Sequence, residues 1–144
     1  MKAMAFGALI RGITANINYY IGEKIEPFGV KQGQFEYFIQ IYMNPGINQL
    51  ELARTKNVGK ASVTKAIKIL EDQGFVKRRV DPKDRRNIRC FITDAGKDIV
   101  ENFLKVQEDI QENIFLDFTE DEKNQFYMSL EKLHRNSTLL IERS

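Results

Sequence analysis

Lysine and arginine crowd one stretch of this chain. Residues 54–89 hold twelve of them (Arg54, Lys56, Lys60, Lys65, Lys68, Lys77, Arg78, Arg79, Lys83, Arg85, Arg86 and Arg89) against four acids, Glu71, Asp72, Asp81 and Asp84. The segment is therefore +8 in a chain that is +2 as a whole, and the remainder sums to −6. A nearly neutral protein with one cationic tract is built to hold a polyanion at one place. The residues between the charges suit the same task. Ser62 and Thr64 bring hydroxyls that can bond phosphates or base edges, and Ala61 is small enough to allow close approach.

Other chemistries have little to work with. The chain has one histidine, His134, and one cysteine, Cys90, far apart and without ligand-like spacing. A His/Cys metal site is not indicated, no cofactor is implied, and no nucleophilic constellation can be assembled. A lone cysteine forms no internal disulfide, in keeping with a reducing compartment. Cys90 leaves two readings: a thiol redox sensor, or a small packed residue on a strand beside Phe91. The longest apolar run, Ala3 to Ile10, contains a glycine, stops at Arg11 and is too short to span a bilayer. The expected location is cytoplasmic, with no membrane partner. A length of 144 residues suggests one domain, or one domain with extensions, and a hydrophobic content of 42% supports a real core. Residues 94–144 carry twelve acids and six basic groups, a surface that would avoid a polyanion.

The elements that must position the cationic residues follow from periodicity. Phe6, Leu9, Ile10, Ile13, Ile17, Tyr20 and Ile21 recur at helical spacing and predict a helix over 5–24, ended by Pro27 and Gly29. Phe35, Phe38, Ile39 and Tyr42 predict a second over 32–43, closed by Asn44-Pro45-Gly46. Asn48 is an N-cap for a short helix bearing Leu50, Leu52 and Ala53, which ends at a tight turn near Asn57. Val63, Ala66, Ile67 and Leu70 form the buried face of a helix over 60–73 that Gly74 stops. Its outward positions are Lys60, Ala61, Ser62, Thr64, Lys65 and Lys68. Residues 75–80 and 87–92 predict two strands of a hairpin, with 81–86 as a polar loop. A long helix after Thr93 should turn Ile99, Phe103, Leu104, Ile110 and Ile114 inward. Thr119 and Glu122 form a capping box before a last helix, expected to bury Phe126, Leu130, Leu133, Leu140 and Ile141.

Helix, turn, helix and basic hairpin make a winged helix-turn-helix, in a chain that is mostly α. A helix fits the major groove of DNA, and loop residues 83–86 can reach an adjacent minor groove. The run LELARTKNVGKASVTKAIKILEDQGFVKRR followed by DPKDRRNIRCFITDAGK resembles the MarR family of transcriptional regulators. Asp81-Pro82-Lys83-Asp84-Arg85-Arg86 resembles the acidic-basic wing of that family, and Phe91-Ile92-Thr93-Asp94-Ala95-Gly96 the junction that follows it. Two positions depart from the pattern. Gly59 offers no side-chain oxygen where the family often has Ser, Asp or Thr, and Lys83 stands where many members carry Arg.

The resemblance implies a division of labour. Residues 30–93 form a DNA-binding lobe, and the helices in 1–29 and 94–144 pair two subunits, so that double-stranded DNA and a second copy are the expected partners. The operator should be an inverted repeat, and repression is the expected outcome. Lys60, Ala61, Ser62, Thr64, Lys65 and Lys68, with wing residues Lys83, Asp84, Arg85 and Arg86, are the expected DNA contacts. Asp81 and Asp84 can also pair with Arg85 and Arg86 and shape the loop; the resemblance puts Arg86 in the groove and Asp84 as the acid that orients the wing. Arg11, Tyr19, Tyr20 and Tyr37 border the space where family members bind small aromatic or phenolic effectors. The reactive cysteine of the peroxide-sensing branch lies in the first helix, where this chain has none. The competing class is a winged-helix module that docks on protein, for which so much charge would be unnecessary.

Overall fold

The computed structural model describes residues 3–56 and 59–142. The expected tight turn at Asn57 lies outside them. In order, the elements are α1 (Ala3–Ile25), a 3₁₀ turn (Glu26–Phe28), α2 (Gln32–Met43), α3 (Gln49–Lys56), α4 (Lys60–Asp72), β1 (Val76–Asp81), β2 (Asp84–Ile92), α5 (Asp94–Ile114) and α6 (Glu120–Glu142). The chain divides into two compact units, residues 1–107 and 108–144.

In the first unit, local chemistry sets the helix ends as the sequence predicts. Gly29 takes a left-handed φ of 76° after the 3₁₀ turn. Asn48 caps α3, its Oδ1 accepting the Glu51 N–H at 2.7 Å. Gly74, with φ 85°, ends α4. There the Phe75 N–H reaches the Leu70 carbonyl at 3.0 Å and the Gly74 N–H reaches Glu71 at 2.9 Å. This Schellman closure satisfies the last carbonyls and reverses the chain into β1.

The core of this unit is aromatic and aliphatic. The ring of Phe103, from α5, lies 4.8 Å from that of Phe38, 5.4 Å from Phe35 and 5.7 Å from Phe28. Ile25, Ile41, Leu52, Val63, Ile67 and Leu70 complete it, all fully buried. At the junction of β2 and α5, Gly96 permits close contact: a Cβ there would stand 2.5 Å from the Phe75 carbonyl oxygen. Thr93 seals the same corner, its hydroxyl donating to the Gly74 carbonyl and accepting the Gly96 N–H.

The second unit is the end of α5, a turn and α6. The capping box forms as read: Thr119 N–H to Glu122 Oε1 and Glu122 N–H to Thr119 Oγ1, both 3.1 Å. Phe115 gathers Phe118, Phe126 and Tyr127 around it, with ring centroids 5.2 to 5.8 Å away.

Burial of the α6 face is a point of correction. Phe126, Leu130, Leu133, Leu140 and Ile141, expected inward, are 39% to 73% exposed. Ile114 of α5 is exposed as well, and so are Phe6, Leu9, Ile10 and Ile13 of α1. Periodicity identifies an apolar face but not its cover. Here the cover within one chain is partial.

Candidate nucleic-acid interface

α4 presents the side chains that the periodicity assigns to its two faces. Val63, Ala66, Ile67 and Leu70 are buried, while Lys60, Ala61, Ser62, Thr64, Lys65 and Lys68 are exposed. Lys68 pairs with Asp72 at 3.5 Å, but both are well over half exposed and the pair contributes little. Among the described residues, Lys60 and Lys65 have no carboxylate within salt-bridge distance. Gly59 caps the helix in extended conformation without a side-chain bond.

The wing differs from the expected loop of 81–86. Only Pro82 and Lys83 form the turn; Asp84, Arg85 and Arg86 belong to β2. Two aspartates cause this by bonding the backbone two residues on, as short acidic side chains do in turns. Asp81 Oδ1 accepts the Lys83 N–H at 2.9 Å, and Asp84 Oδ1 accepts the Arg86 N–H at 3.0 Å. The ladder then slips. Val80 pairs with Ile88 but Asp81 pairs with Asp84, so Arg85, Arg86 and Asn87 have no partner on β1 and bulge from the hairpin.

Asp84 meets Arg86, its Oδ1 3.4 Å from Nε, with the arginine side chain 94% exposed. The stronger anchor is the other aspartate. Asp81 takes Arg89 through Nη2 at 3.2 Å and Nε at 3.3 Å, and Asn87 Nδ2 at 3.1 Å. Arg89 in turn donates to the Gly46 carbonyl at 3.0 Å, tying the wing to the turn between α2 and α3. Asp81 therefore pairs with Arg89 rather than with Arg85 or Arg86. A second tie is Arg78, whose Nη2 and Nε reach the two oxygens of Glu71 at 2.8 and 3.2 Å. Arg78 and Arg89 thus act as scaffold, whereas Lys83, Arg85 and Arg86 stand in solvent.

Between wing and helix lies a cleft of about 510 Å³ lined by Asn48, Gln49, Lys60, Thr64, Arg86 and Asn87 among others. Sequence reading assigns no role in binding to Asn48, Gln49 or Asn87. Asn48 is legible only as a cap, and nothing in local sequence marks the other two.

Both anchoring acids titrate low. Hydrogen bonding from Arg78 holds Glu71 below the usual carboxylate range. The backbone N–H of Lys83, with Arg89 and Asn87 behind it, does the same for Asp81. A carboxyl with a depressed folded value stabilises the fold fully above its unfolded value, and that contribution is lost as pH falls through the folded one. Glu71→Gln combined with Asp81→Asn should therefore flatten the decline of melting temperature below pH 5 at fixed protein concentration. A variant curve parallel to the wild-type curve would contradict this.

Cys90 is fully buried, and burial pushes its thiol up to about 11. At neutral pH it is protonated and a poor nucleophile, which favours the packed residue over the sensor. Of the residues read as effector contacts, Tyr19 is 69% exposed and bonded to Glu23, Tyr20 sits under the Lys24 ammonium, and Tyr37 is 5% exposed in the core. Arg11 lies exposed along α1 over Gly7. None of the four lines the cleft at the wing. Among the described residues no helix is long and apolar enough to cross a membrane, and no three His, Cys, Asp or Glu are placed to hold a metal ion.

Comparison with known proteins places this geometry. The model of the MarR family matches residues 30–88, from the start of the lobe to the wing. A MarR transcriptional regulator of Methanosarcina mazei Go1 is 33% identical, with 95% of this chain and 99% of that one superposed at a TM-score of 0.87. A MarR family regulator of Listeria monocytogenes, solved in complex with 26mer DNA, is 25% identical over 94% of this chain and 89% of that one, at a TM-score of 0.82. An uncharacterised HTH-type transcriptional regulator of Bacillus subtilis strain 168, YybA, is 32% identical over 73% of this chain and 70% of its own length. With its winged helix-turn-helix, its basic wing and these relatives, the chain belongs to the MarR family of transcriptional regulators.

Proposed function

We propose that this chain is a homodimeric repressor that holds an inverted-repeat operator in duplex DNA. The observation that carries the reading is a group of exposed cations without acid partners among the described residues: Lys60 and Lys65 on α4, and Lys77, Arg79, Lys83 and Arg85 on the wing. Arg86, only loosely held by Asp84, lines the cleft between them. α4 enters the major groove with Lys60, Ala61, Ser62, Thr64, Lys65 and Lys68, and the bulged arginines follow the adjacent minor groove. Phosphate contacts supply affinity, and base contacts supply sequence preference.

The dimer reading is supported by the exposed apolar residues that line up along α1 and along α6. Residues 1–29 and 94–144 are its pairing region and 30–93 its DNA lobe. Repression follows from occupancy, since a dimer seated on a promoter excludes other proteins.

Selection from random duplexes tests the whole reading. It should return an inverted repeat whose half-sites lie about one helical turn apart. A monomer that enriches no duplex at low salt would overturn it, and would leave the protein-docking module in its place. On the selected duplex, Arg86→Ala should cost roughly 1–3 kcal/mol if the wing reads the groove. Unchanged affinity would remove Arg86 from the interface.

A further inference from the structure

Three parts of the wing meet on the carboxylate of Asp81. Its Oδ1 accepts the Lys83 N–H of the turn at 2.9 Å. Its Oδ2 takes Nδ2 of Asn87, the last residue of the bulge, at 3.1 Å, and Nε of Arg89 on β2 at 3.3 Å. Arg85 and Arg86 lie between the first two of these points, so one side chain pins the arc that carries them at both ends. Arg89 extends the pin to the lobe. Its Nη1 donates to the Gly46 carbonyl at 3.0 Å, and its backbone bridges that of Asn48, the cap of α3. A carboxylate suits this post because every partner donates to it.

Asp84 is placed for less. Its side chain is 51% exposed, against 16% for Asp81. Its bonds go to Arg86, through the backbone N–H at 3.0 Å and Nε at 3.4 Å, and so tie the strand to nothing beyond its own tip. We infer that Asp81, not Asp84, positions the wing for DNA, by holding Arg86 at a fixed offset from α4 so that the two reach adjacent grooves together. The inference rests on the DNA-binding reading above. It has a sign that charge alone does not give. Either aspartate is a negative group beside a polyanion, and electrostatics says that removing either tightens binding. Removing Asp81 should weaken it instead, because a bulge released from its pins must be ordered when DNA binds, and that ordering costs affinity.

The test uses the full chain, well below its melting temperature, and the duplex that it selects from a random library. Asp84→Asn keeps an oxygen for the Arg86 N–H and should bind as well as wild type or tighter. Asp81→Asn removes the same charge and keeps an oxygen for the Lys83 N–H, but its amide nitrogen cannot accept from Asn87 or Arg89. It should bind about tenfold more weakly, within the range for one arginine that reads a groove. In an Arg86→Ala background the same change should cost less than about twofold, since the side chain to be placed is gone. Arg89→Gln, which leaves the carboxylate but cuts its hold on the lobe, should likewise lose more affinity with Arg86 present than without it; a lost phosphate contact would cost the same in both. The inference is overturned if Asp81→Asn binds as Asp84→Asn does, or if the losses from Asp81→Asn and Arg89→Gln are equal in the two backgrounds. A wild-type chain that selects no duplex, or Arg86→Ala with unchanged affinity, defeats the reading of the wing as a DNA contact and this inference together. Selection and a loss at Arg86, followed by either overturning result, defeat the inference alone.

Discussion

Phe103→Ala should cost about 3–5 kcal/mol of folding stability, the range for emptying a buried aromatic site. The ring is fully buried and touches three others, Phe28 from the 3₁₀ turn and Phe35 and Phe38 from α2. None of these can fill the void without leaving its own place. A domain of ordinary stability has only about 5–15 kcal/mol in total, so the variant should stand near the edge of folding. Denaturant titration at fixed protein concentration measures this, the concentration being held because pairing of subunits adds to apparent stability. The midpoint should fall with the slope unchanged. A loss under about 1 kcal/mol would mean that the ring is not the keystone its position indicates.

The second large effect is that of salt on DNA binding. Lys60, Lys65, Lys83, Arg85 and Arg86 are exposed, and two copies double that set. If six to ten phosphates are neutralised per dimer, affinity should fall about 10³- to 10⁵-fold between 50 and 200 mM salt. Lys60→Ala and Lys65→Ala should each lower the slope by about one contact per subunit and weaken all duplexes alike. Arg78 and Arg89 should behave differently. Their guanidiniums are held by Glu71 and Asp81, so their loss should disturb the lobe rather than subtract a phosphate. A slope near zero would end the electrostatic reading.

What could be read from the chain alone divides along physical lines. The two faces of α4 were legible because helical spacing fixes which residues share a side. Gly74 was legible because only glycine takes a left-handed turn there without cost. The wing was legible as a basic hairpin but not in its register. Composition cannot reveal a three-residue slip, nor that Asp81 prefers Arg89, eight residues on, to the nearer Arg85 and Arg86. Gln49 was beyond reach for the same reason. Its partners, Thr64 and Arg78, lie 15 and 29 residues away, and only the fold brings them together. On α1 and α6 the pattern of apolar residues was correct, but whether the same molecule would cover them is not a property of pattern.

The slipped ladder has a consequence for solubility. A two-stranded sheet has two rims, each able to recruit another chain and begin a fibre; here Gly46 and Ile47 already bond Cys90 on the rim of β2, which leaves the tip of the wing and the rim of β1. In this wing Arg85, Arg86 and Asn87 break the line of β2, and Lys77 and Arg79 charge that of β1. An approaching strand would meet a misaligned row of amides and strong repulsion from its own kind. The charge proposed to hold nucleic acid should also keep the hairpin from polymerising when the protein is concentrated.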